Sequence, residues 1–437
     1  MPGKITALSR SSAIQGGGWI TRPRLIALFW LAAVITVVVL ARTGPVGWDS
    51  RGYWKTIQSV RQGSDPYAGV ESAHQAFLQR FAATGTGAHP PFVYACSPYP
   101  PMTLPLLRVL AMFPGWVLGV FYVAALAGGV LLQLWAGFQM ADKDERRWLA
   151  LMLPAMAFFP GLVTDDVILS GNVAYVLYGL ILAAAVPGWK RGNWSWYYLA
   201  VLTAAAFKAP HLSLLAFPVL MDRRQWFPSG IAASSGVLMF AAQSWFWPGM
   251  FREWLSNTQL MFDRGRDFGF GPVGMLGKAL WSQGLPYSSA TSTLGVVFAV
   301  VVGIFLLFLA HRVRQWNLPP ETWAPVALVG TLLLNPRLMK YDLAAITIPM
   351  LLMGARALRL ALGWPTGETP GDEAADSGQK SSERELILLG AACLLIPNVI
   401  TVAGPPWSPV ECPVLLAVFA MGVWSLDRFR VELQPET

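Results

Sequence analysis

The side chains best suited to chemistry are gathered in the stretch Gly47–Pro101 of a chain that is otherwise mostly apolar. This stretch brings together acidic, basic and aromatic residues, the types that acid–base catalysis and substrate binding use. Asp49 and Tyr53 stand four positions apart, so a helix over Arg51–Gln62 would place both on one face. We therefore interpret the stretch as a catalytic loop. A carboxylate at a helix start can also cap backbone donors, so a capping role for Asp49 is the alternative interpretation.

Two local signals bound this loop. Its helix is expected to stop at Gly63, because Ser64-Asp65-Pro66 is turn chemistry and a proline disfavours helical backbone at the residue before it. The loop follows an apolar run, Leu25–Ala41, which lacks a small-residue cleavage site and is expected to be an uncleaved membrane helix. Asp49 would then lie just beyond the end of a membrane helix, where lipid head groups and substrates meet.

The composition is that of an integral membrane protein. Of the 437 residues 54% are hydrophobic and only 13% are charged, whereas soluble domains carry about 25% charged residues. The net charge of +8 is explained by Lys and Arg in cytoplasmic loops, and no basic stripe interleaved with aromatic residues indicates nucleic acid as a partner. Four scattered His residues without ligand spacing predict no metal site. Three Cys residues form no disulfide framework, although pairing of Cys96 with Cys412 stays open.

Apolar segments of spanning length, or nearly so, recur along the chain. They lie at 24–42, 115–140, 148–163, 172–188, 196–221, 228–246, 287–310, 321–335, 341–358, 386–403 and 412–427. The 196–221 segment carries Lys208 in its middle and basic residues at both ends, so a hairpin bent at Pro210 fits the membrane topology better than a single span. With a cytoplasmic N-terminus, the outer segments are Asp49–Pro101, Thr164–Gly171, Trp247–Pro286 and Asn335–Tyr341.

These assignments divide the chain into three parts. Residues 1–361 form a transmembrane catalytic module with an outer loop at 43–101, residues 362–385 form an acidic cytoplasmic linker, and residues 386–437 form a C-terminal transmembrane hairpin and tail. The linker is rich in acidic and small residues and is expected to be disordered. The predicted fold class is an all-α polytopic membrane protein with roughly 11–13 transmembrane helices.

The remaining polar groups of the outer segments and the hairpin each allow two interpretations. Asp165-Asp166, which precede Asn172, are either two solvated carboxylates or an acidic contact to sugar hydroxyls or an acceptor. Lys208 either extends to the membrane interface or faces a cavity or a partner, because a charge inside the membrane is costly. Arg337 and Lys340 either anchor lipid head groups or supply positive charge to a site.

Three motifs in order resemble the polytopic glycosyltransferases of the GT-C superfamily, and most closely glycosyltransferase family 87. They are an Asp-x-x-x-Tyr element at Asp49 and Tyr53, a Gly-x-Asp-Pro-Tyr turn at Gly63, Asp65, Pro66 and Tyr67, and a Tyr-Pro-Pro element at Tyr99, Pro100 and Pro101. The resemblance implies a GT-C-type helical bundle and an inverting hexosyltransferase, which transfers a sugar, mannose in the resembling enzymes, from a polyprenyl phosphate to a lipid or glycan acceptor.

The resemblance also implies roles for individual residues. Asp49 would be the general base, and Lys208, Arg337 and Lys340 would bind the phosphate of the donor. Contacts to the sugar and the acceptor would come from Tyr53, Asp65, Tyr67, Tyr99, Asp166, Asn172 and Tyr341. No metal or other cofactor is implied. Membrane lipids are further partners, and the site is expected to face the extracytoplasmic side of a bacterial inner membrane.

The chain departs from the family pattern at two places. It has Lys208-Ala209-Pro210 where family members have Lys-Pro, and Met339 and Tyr341 where they have an aromatic residue and a histidine, so a role of that histidine cannot be transferred. Many helices and an intramembrane lysine would also suit a transporter or a lipid-linked sugar flippase. A ligase that moves a whole lipid-linked glycan is a further alternative. The clustering of polar residues on one membrane face favours the transferase.

Overall fold

Every regular element that the computed structural model describes is helical, which confirms the predicted all-α class for this part of the chain. The described residues are 28, 31, 32, 35, 47–84, 97–141, 145, 146, 149, 170–263, 271, 289–335, 338–361, 388, 390, 393 and 411–433. Several predictions concern residues outside these ranges: most of the first apolar segment, Cys96, Asp165, Asp166, Arg337, the 362–385 linker and most of the 386–403 segment.

Thirteen α-helices have bounds within the described ranges. The first nine are α1 (Trp48–Arg61), α2 (Val70–Thr84), α3 (Leu104–Ala111), α4 (Gly115–Met140), α5 (Ala174–Arg191), α6 (Ser195–Phe207), α7 (Ala216–Met221), α8 (Trp226–Phe246) and α9 (Pro248–Asp263). The last four are α10 (Ser289–Trp316), α11 (Pro320–Leu333), α12 (Ala344–Ala361) and α13 (Glu411–Leu433). Short 3₁₀ turns occupy Pro101–Thr103, Ala209–Leu215, Arg223–Gln225 and Lys340–Leu343.

Helix α1 confirms the helix that was predicted over Arg51–Gln62, although it already begins at Trp48. It stops where expected, because Gly63 follows with a φ of +69°, a left-handed backbone that glycine adopts without steric cost. Its apolar face packs in a small core made of Ile57, Tyr67, Leu104, Leu107 and Leu118. This core attaches α1 and α3, which we call the loop helices, to the start of α4.

The 196–221 segment forms the predicted hairpin. Helix α6 ends directly before Lys208, whose backbone is extended (φ −146°, ψ 109°), and the chain returns through a 3₁₀ turn and α7. Tyr197, in the first turn of α6, donates its O–H to the carbonyl of Leu214 at 2.8 Å, so the two arms run side by side. The reversal starts at Lys208 itself, two residues before Pro210, and places the lysine at the tip.

Helix α11 lies at the centre of the bundle. Every residue of Thr322–Leu333 is buried, as is typical of a helix that is apolar on all sides. A Cβ atom on Gly330 would lie within 2.6 Å of Phe419 in α13 and Leu306 in α10, so both helices pack closely against it. Two described helices are long and apolar enough to cross a membrane, namely α4 and the Thr293–Trp316 part of α10.

Helices α4 and α5 cross at very short range. A Cβ atom on Gly129 would lie 2.6 Å from the carbonyl oxygen of Tyr175, and one on Gly179 would lie 2.5 Å from the carbonyl oxygen of Gly129. Small residues allow apolar helices to approach in this way. Gln133 adds a hydrogen bond, since its Nε2 donates to the Tyr175 carbonyl at 3.2 Å. This crossing fixes the start of α5 against α4.

A buried ion pair joins three helices at the end of the bundle where α4 ends and α11 begins. The guanidinium of Arg356, in α12, makes a bidentate contact with the carboxylate of Glu145, and both side chains are almost fully buried. The same guanidinium donates to the carbonyls of Glu321 and Thr322 at the start of α11, at 2.8 and 2.9 Å, and to that of Met140 at the end of α4, at 3.2 Å. The ends of α4, α11 and α12 are thereby held together.

We expect Arg356→Ala to lower the free energy of unfolding by about 3–5 kcal/mol, because it leaves the Glu145 carboxylate buried and unpaired. Thermal unfolding of the purified protein in detergent measures the change. Arg146→Ala is the matched control: its guanidinium is exposed and bonds to backbone carbonyls at 3.0 and 3.2 Å, so its loss should cost about 1 kcal/mol or less. Equal losses in the two variants would contradict a stabilising role for the ion pair.

Candidate active site

The first turn of α1 is held by the turn that precedes α5. The backbone N–H groups of Asp49 and Ser50 both donate to the carbonyl of Ser170, at 3.1 and 3.2 Å. The N-cap residue is Gly47, so Asp49 lies inside the first turn rather than at the cap. Its partly buried carboxylate instead accepts a hydrogen bond from Nδ2 of Asn172 at 2.8 Å. Asp49 is thus oriented by a residue of the turn that precedes α5.

Asn172 is itself held in place. Its side-chain Oδ1 accepts the N–H of Ala174 at 2.9 Å, at the start of α5, while its Nδ2 faces Asp49. The preceding Gly171 has a φ of +71°, and a Cβ atom there would lie 2.8 Å from the hydroxyl of Tyr122 and 3.0 Å from the Cβ of Ser50. Only glycine fits this turn without strain. The Gly171-Asn172 pair therefore supplies both the close approach of the backbone and the hydrogen bond to the carboxylate.

A pair of tyrosines lies beside Asp49. The hydroxyl oxygens of Tyr53 and Tyr99 are 2.6 Å apart, and the N–H of Val173 donates to the Tyr53 oxygen at 3.4 Å. Burial raises the pKa of both phenols, and the nearby Asp49 carboxylate raises the two pKa values further. Both phenols are therefore neutral at physiological pH, and the O–H of one of them donates a hydrogen bond to the oxygen of the other. The ring of Tyr122 completes the group, at 6.3 Å from that of Tyr53.

Two of the predicted sugar-binding residues have structural contacts. Oδ1 of Asp65 accepts the N–H of Tyr67 at 2.8 Å within the turn after α1. Tyr67 is fully buried, and its hydroxyl donates to the carbonyl of Tyr99 at 2.5 Å and lies 3.2 Å from the Ser97 hydroxyl. In this arrangement Tyr67 positions the Tyr99 segment instead of presenting its ring to a substrate.

Lys208 reaches the same cluster from the tip of the hairpin. Its Nζ lies 3.3 Å from the centre of the Tyr341 ring, which is a close cation–π contact. Tyr99 connects this contact with α1, because its hydroxyl lies 2.6 Å from that of Tyr53 and its ring packs edge-on at 5.4 Å against Phe207, the residue before Lys208. A carboxylate, an ammonium group and several phenols thus lie in one cluster at one end of the bundle.

Sequence reasoning missed a second polar group behind Lys208. Asp342 is buried, and its Oδ1 accepts the O–H of Tyr178 while its Oδ2 accepts the N–H of Met339, both at 2.9 Å. The His211 ring lies 5.0 Å from that of Tyr178, and its Nδ1 is 2.9 Å from the carbonyl of Lys208. The sequence contained two signals of this group, namely Asp342 at the start of the apolar segment 341–358 and His211 three residues after Lys208.

Other predicted site residues cannot be placed. Asp166 and Arg337 lie outside the described residues, and of Lys340 only the backbone is described. Within the described ranges, no group of three or more His, Cys, Asp or Glu side chains has a geometry that could hold a metal ion. The structure therefore brings together Asp49, Tyr53, Tyr99, Asn172, Lys208 and Tyr341.

Comparison with known protein families gives one match. A family model described as glycosyltransferase family 87 matches residues 98–336, which is more than half of the chain. The matched range includes Tyr99, Asn172 and Lys208, whereas Asp49 and Tyr53 precede it. A comparison with curated proteins finds no match.

We expect Gly171→Ala to destabilise the protein more than the matched control Gly192→Ala. Both glycines have a left-handed backbone, with φ of +71° and +69°, but only Gly171 has neighbours that an added Cβ would meet. The shared backbone strain costs about 1–3 kcal/mol, and the contact with Tyr122 and Ser50 should add about 1–3 kcal/mol in the first variant alone. Thermal unfolding compares them, and equal melting temperatures would contradict the tight packing of this turn.

Proposed function

The chain belongs to glycosyltransferase family 87, and on this basis we propose that it transfers one hexose, mannose by family resemblance, from a polyprenyl phosphate to a lipid or glycan acceptor. Membership makes it a membrane glycosyltransferase, which uses a sugar donor and an acceptor, and the transporter alternative is not retained. The observation that carries the proposal is that Asp49 and Lys208 lie in one cluster. Asp49 and Tyr53 belong to α1, the Tyr53 hydroxyl contacts that of Tyr99, and the Tyr99 ring packs against Phe207, the residue before Lys208.

In this proposal Asp49 is the general base. An acceptor hydroxyl loses its proton to the Asp49 carboxylate as its oxygen forms a bond with the anomeric carbon of the donor. The bond between that carbon and the phosphate oxygen breaks on the opposite face, so the configuration inverts. The hydrogen bond from Asn172 fixes the carboxylate. Positioning of this kind supplies a large part of the rate enhancement, because a carboxylate is by itself a weak base.

The phosphate leaves with the bonding electron pair, and Lys208 is proposed to meet the charge that develops on it. Fixed cations in a site with little water stabilise such charge strongly. The hairpin supports this assignment, because it holds the ammonium group at its tip beside Tyr341. Arg337 and Lys340, in the segment that leads to Tyr341, are proposed as further cations for the phosphate.

The neutral phenols suit binding of the sugar. Aromatic faces stack on the C–H surfaces of a pyranose, and hydroxyl groups add hydrogen bonds. Tyr53, Tyr99 and Tyr341 lie in the cluster and are proposed to make these contacts. Asp65, Tyr67 and Asp166 are further proposed contacts to the sugar or the acceptor. Asp65 and Tyr67 already make hydrogen bonds in and beside the turn after α1.

We further propose a GT-C-type bundle whose catalytic module spans residues 1–361, followed by a cytoplasmic linker at 362–385 and a membrane hairpin and tail at 386–437. The site would face the extracytoplasmic side of a bacterial inner membrane. Two observations support this arrangement: the apolar helices α4 and α10, and the location of Asp49 and Lys208 at the same end of the bundle.

Asp49→Asn should reduce transfer from radiolabelled polyprenyl phosphate mannose by about 10²- to 10⁴-fold, the usual contribution of a general base. The control is Asp222→Asn, the same chemical change in a residue that caps a 3₁₀ turn through a bond from the N–H of Arg224 at 2.9 Å. Asparagine can make the same cap, so this variant should retain activity. Undiminished transfer by Asp49→Asn would refute the base assignment, and inactive wild type would point to another donor sugar.

Lys208→Ala should lower kcat/KM for the polyprenyl phosphate donor by about 10- to 100-fold, since a hydrogen bond to a charged group contributes about 1.5–3 kcal/mol. Lys190→Ala is the control, because this exposed lysine near the end of α5 bonds to Gln139 at a distance from the cluster. The phosphate assignment fails if both variants use the donor equally well. Circular dichroism establishes that each variant is folded.

A further inference from the structure

A cavity lies far from the Asp49 cluster. It has a volume of about 300 Å³ and lies between the α7–α8 connection and the C-terminal part of α10. Its lining includes both apolar and basic residues, among them Val219, Arg223, Trp226, Leu307, His311 and Arg314. Its walls thus combine an apolar surface with three nitrogen-rich side chains that can bind an anion.

The cavity is at the opposite end of the bundle from the candidate active site. Helix α8 runs from Trp226, in the cavity wall, to Gln243, whose Oε1 accepts the N–H of Met102 at 3.0 Å next to the loop helices. Seventeen helical residues separate these two positions, a distance of about 25 Å. A group bound in this cavity therefore does not contact the candidate active site.

One of the basic groups is fixed in the cavity wall by hydrogen bonds. Nη2 of Arg314 donates to the carbonyls of Val219 and Leu220, at 3.2 and 3.4 Å, which fixes the guanidinium between α10 and α7. An arginine has five N–H donors, so others are left for a ligand. The carboxylate of the adjacent Asp222 is engaged in capping the 3₁₀ turn. Among the described residues that line the cavity, none is acidic.

An exposed apolar stripe leads along α10 to the cavity. Val296, Val300, Ile304 and Leu307 are 64%, 56%, 60% and 70% exposed, and their spacing of three or four residues places them on one face of the helix. Leu307 also belongs to the cavity wall. The stripe and the cavity together match a molecule that has an anionic head and a hydrocarbon tail.

We propose that this cavity binds the phosphate group of an anionic phospholipid, whose acyl chain lies along the stripe on α10. Arg223 and His311 donate to the phosphate oxygens, Arg314 adds a fixed positive charge, and Trp226 lies at the level of the head groups. Basic pockets between membrane helices bind lipid head groups in this way, and charge complementarity selects anionic over zwitterionic lipids. This inference does not depend on the proposed transferase mechanism.

The test is a titration of the delipidated full-length protein in detergent with phosphatidylglycerol, monitored by native mass spectrometry. We expect the Arg223→Gln/His311→Gln double variant to bind phosphatidylglycerol at least tenfold more weakly than wild type. Arg312→Gln is the matched control on the same helix, because its guanidinium stacks on Phe308 and Trp316 and does not line the cavity. This control should bind within twofold of wild type.

Two further ligands separate the sources of the phosphate. Phosphatidylcholine should bind at least tenfold more weakly than phosphatidylglycerol, and millimolar inorganic phosphate should not displace the lipid. The proposal is overturned if the double variant binds like wild type, if phosphatidylcholine binds equally well, or if inorganic phosphate competes. Arg223 and His311 are exposed, so both substitutions should leave the fold intact, and the single Arg223→Gln variant, expected to bind at least threefold more weakly, repeats the test with less perturbation.

Discussion

The candidate site depends on the junction between the Ser170–Asn172 turn and the first turn of α1. Here the carbonyl of Ser170 accepts two backbone N–H groups of α1, and the amide of Asn172 donates to Asp49. The first N–H groups of any helix lack partners within it, so the turn supplies what α1 needs in order to begin. Because α5 packs tightly on α4, the turn that orients the Asp49 carboxylate is itself held in place by helix packing.

The hairpin brings the second charge to this junction. A lysine within an apolar segment is expensive unless it finds a partner, and the extended backbone at Lys208 places the side chain at the tip, against the Tyr341 ring. Behind it, the buried Asp342 is satisfied by Tyr178 and by the Met339 backbone. Polar groups are thus concentrated where the apolar helices end, and the hydrogen bonds to Asp342 offset the cost of burying its carboxylate.

The two ends of the bundle carry different groups of polar residues. One end carries the Asp49 cluster, whose members come from loops, a hairpin tip and helix starts. The other end is closed by the Arg356–Glu145 pair, which ties α4, α11 and α12 together, and carries the basic cavity beside α7 and α10. Between them the buried helix α11 is the packing centre of the bundle.

Local features of this protein could be predicted from its sequence. The apolar run at 115–140, the end of α1 before Gly63 and the bend in the 196–221 segment follow from side-chain polarity and from glycine and proline geometry, which act over a few residues. Three short motifs also indicated the family to which the family model then assigned the chain.

The contacts that make the site were decided by the tertiary structure. Tyr53 and Tyr99 are 46 residues apart, Asp49 and Asn172 are 123 apart, and Tyr178 and Asp342 are 164 apart. Periodicity shows which face of a helix is apolar, but it does not show which distant residue packs against that face. The sequence could place Asp49 and Tyr53 on one helix face, whereas only the packing of α5 and the hairpin against the loop helices brings Asn172 and Lys208 to them.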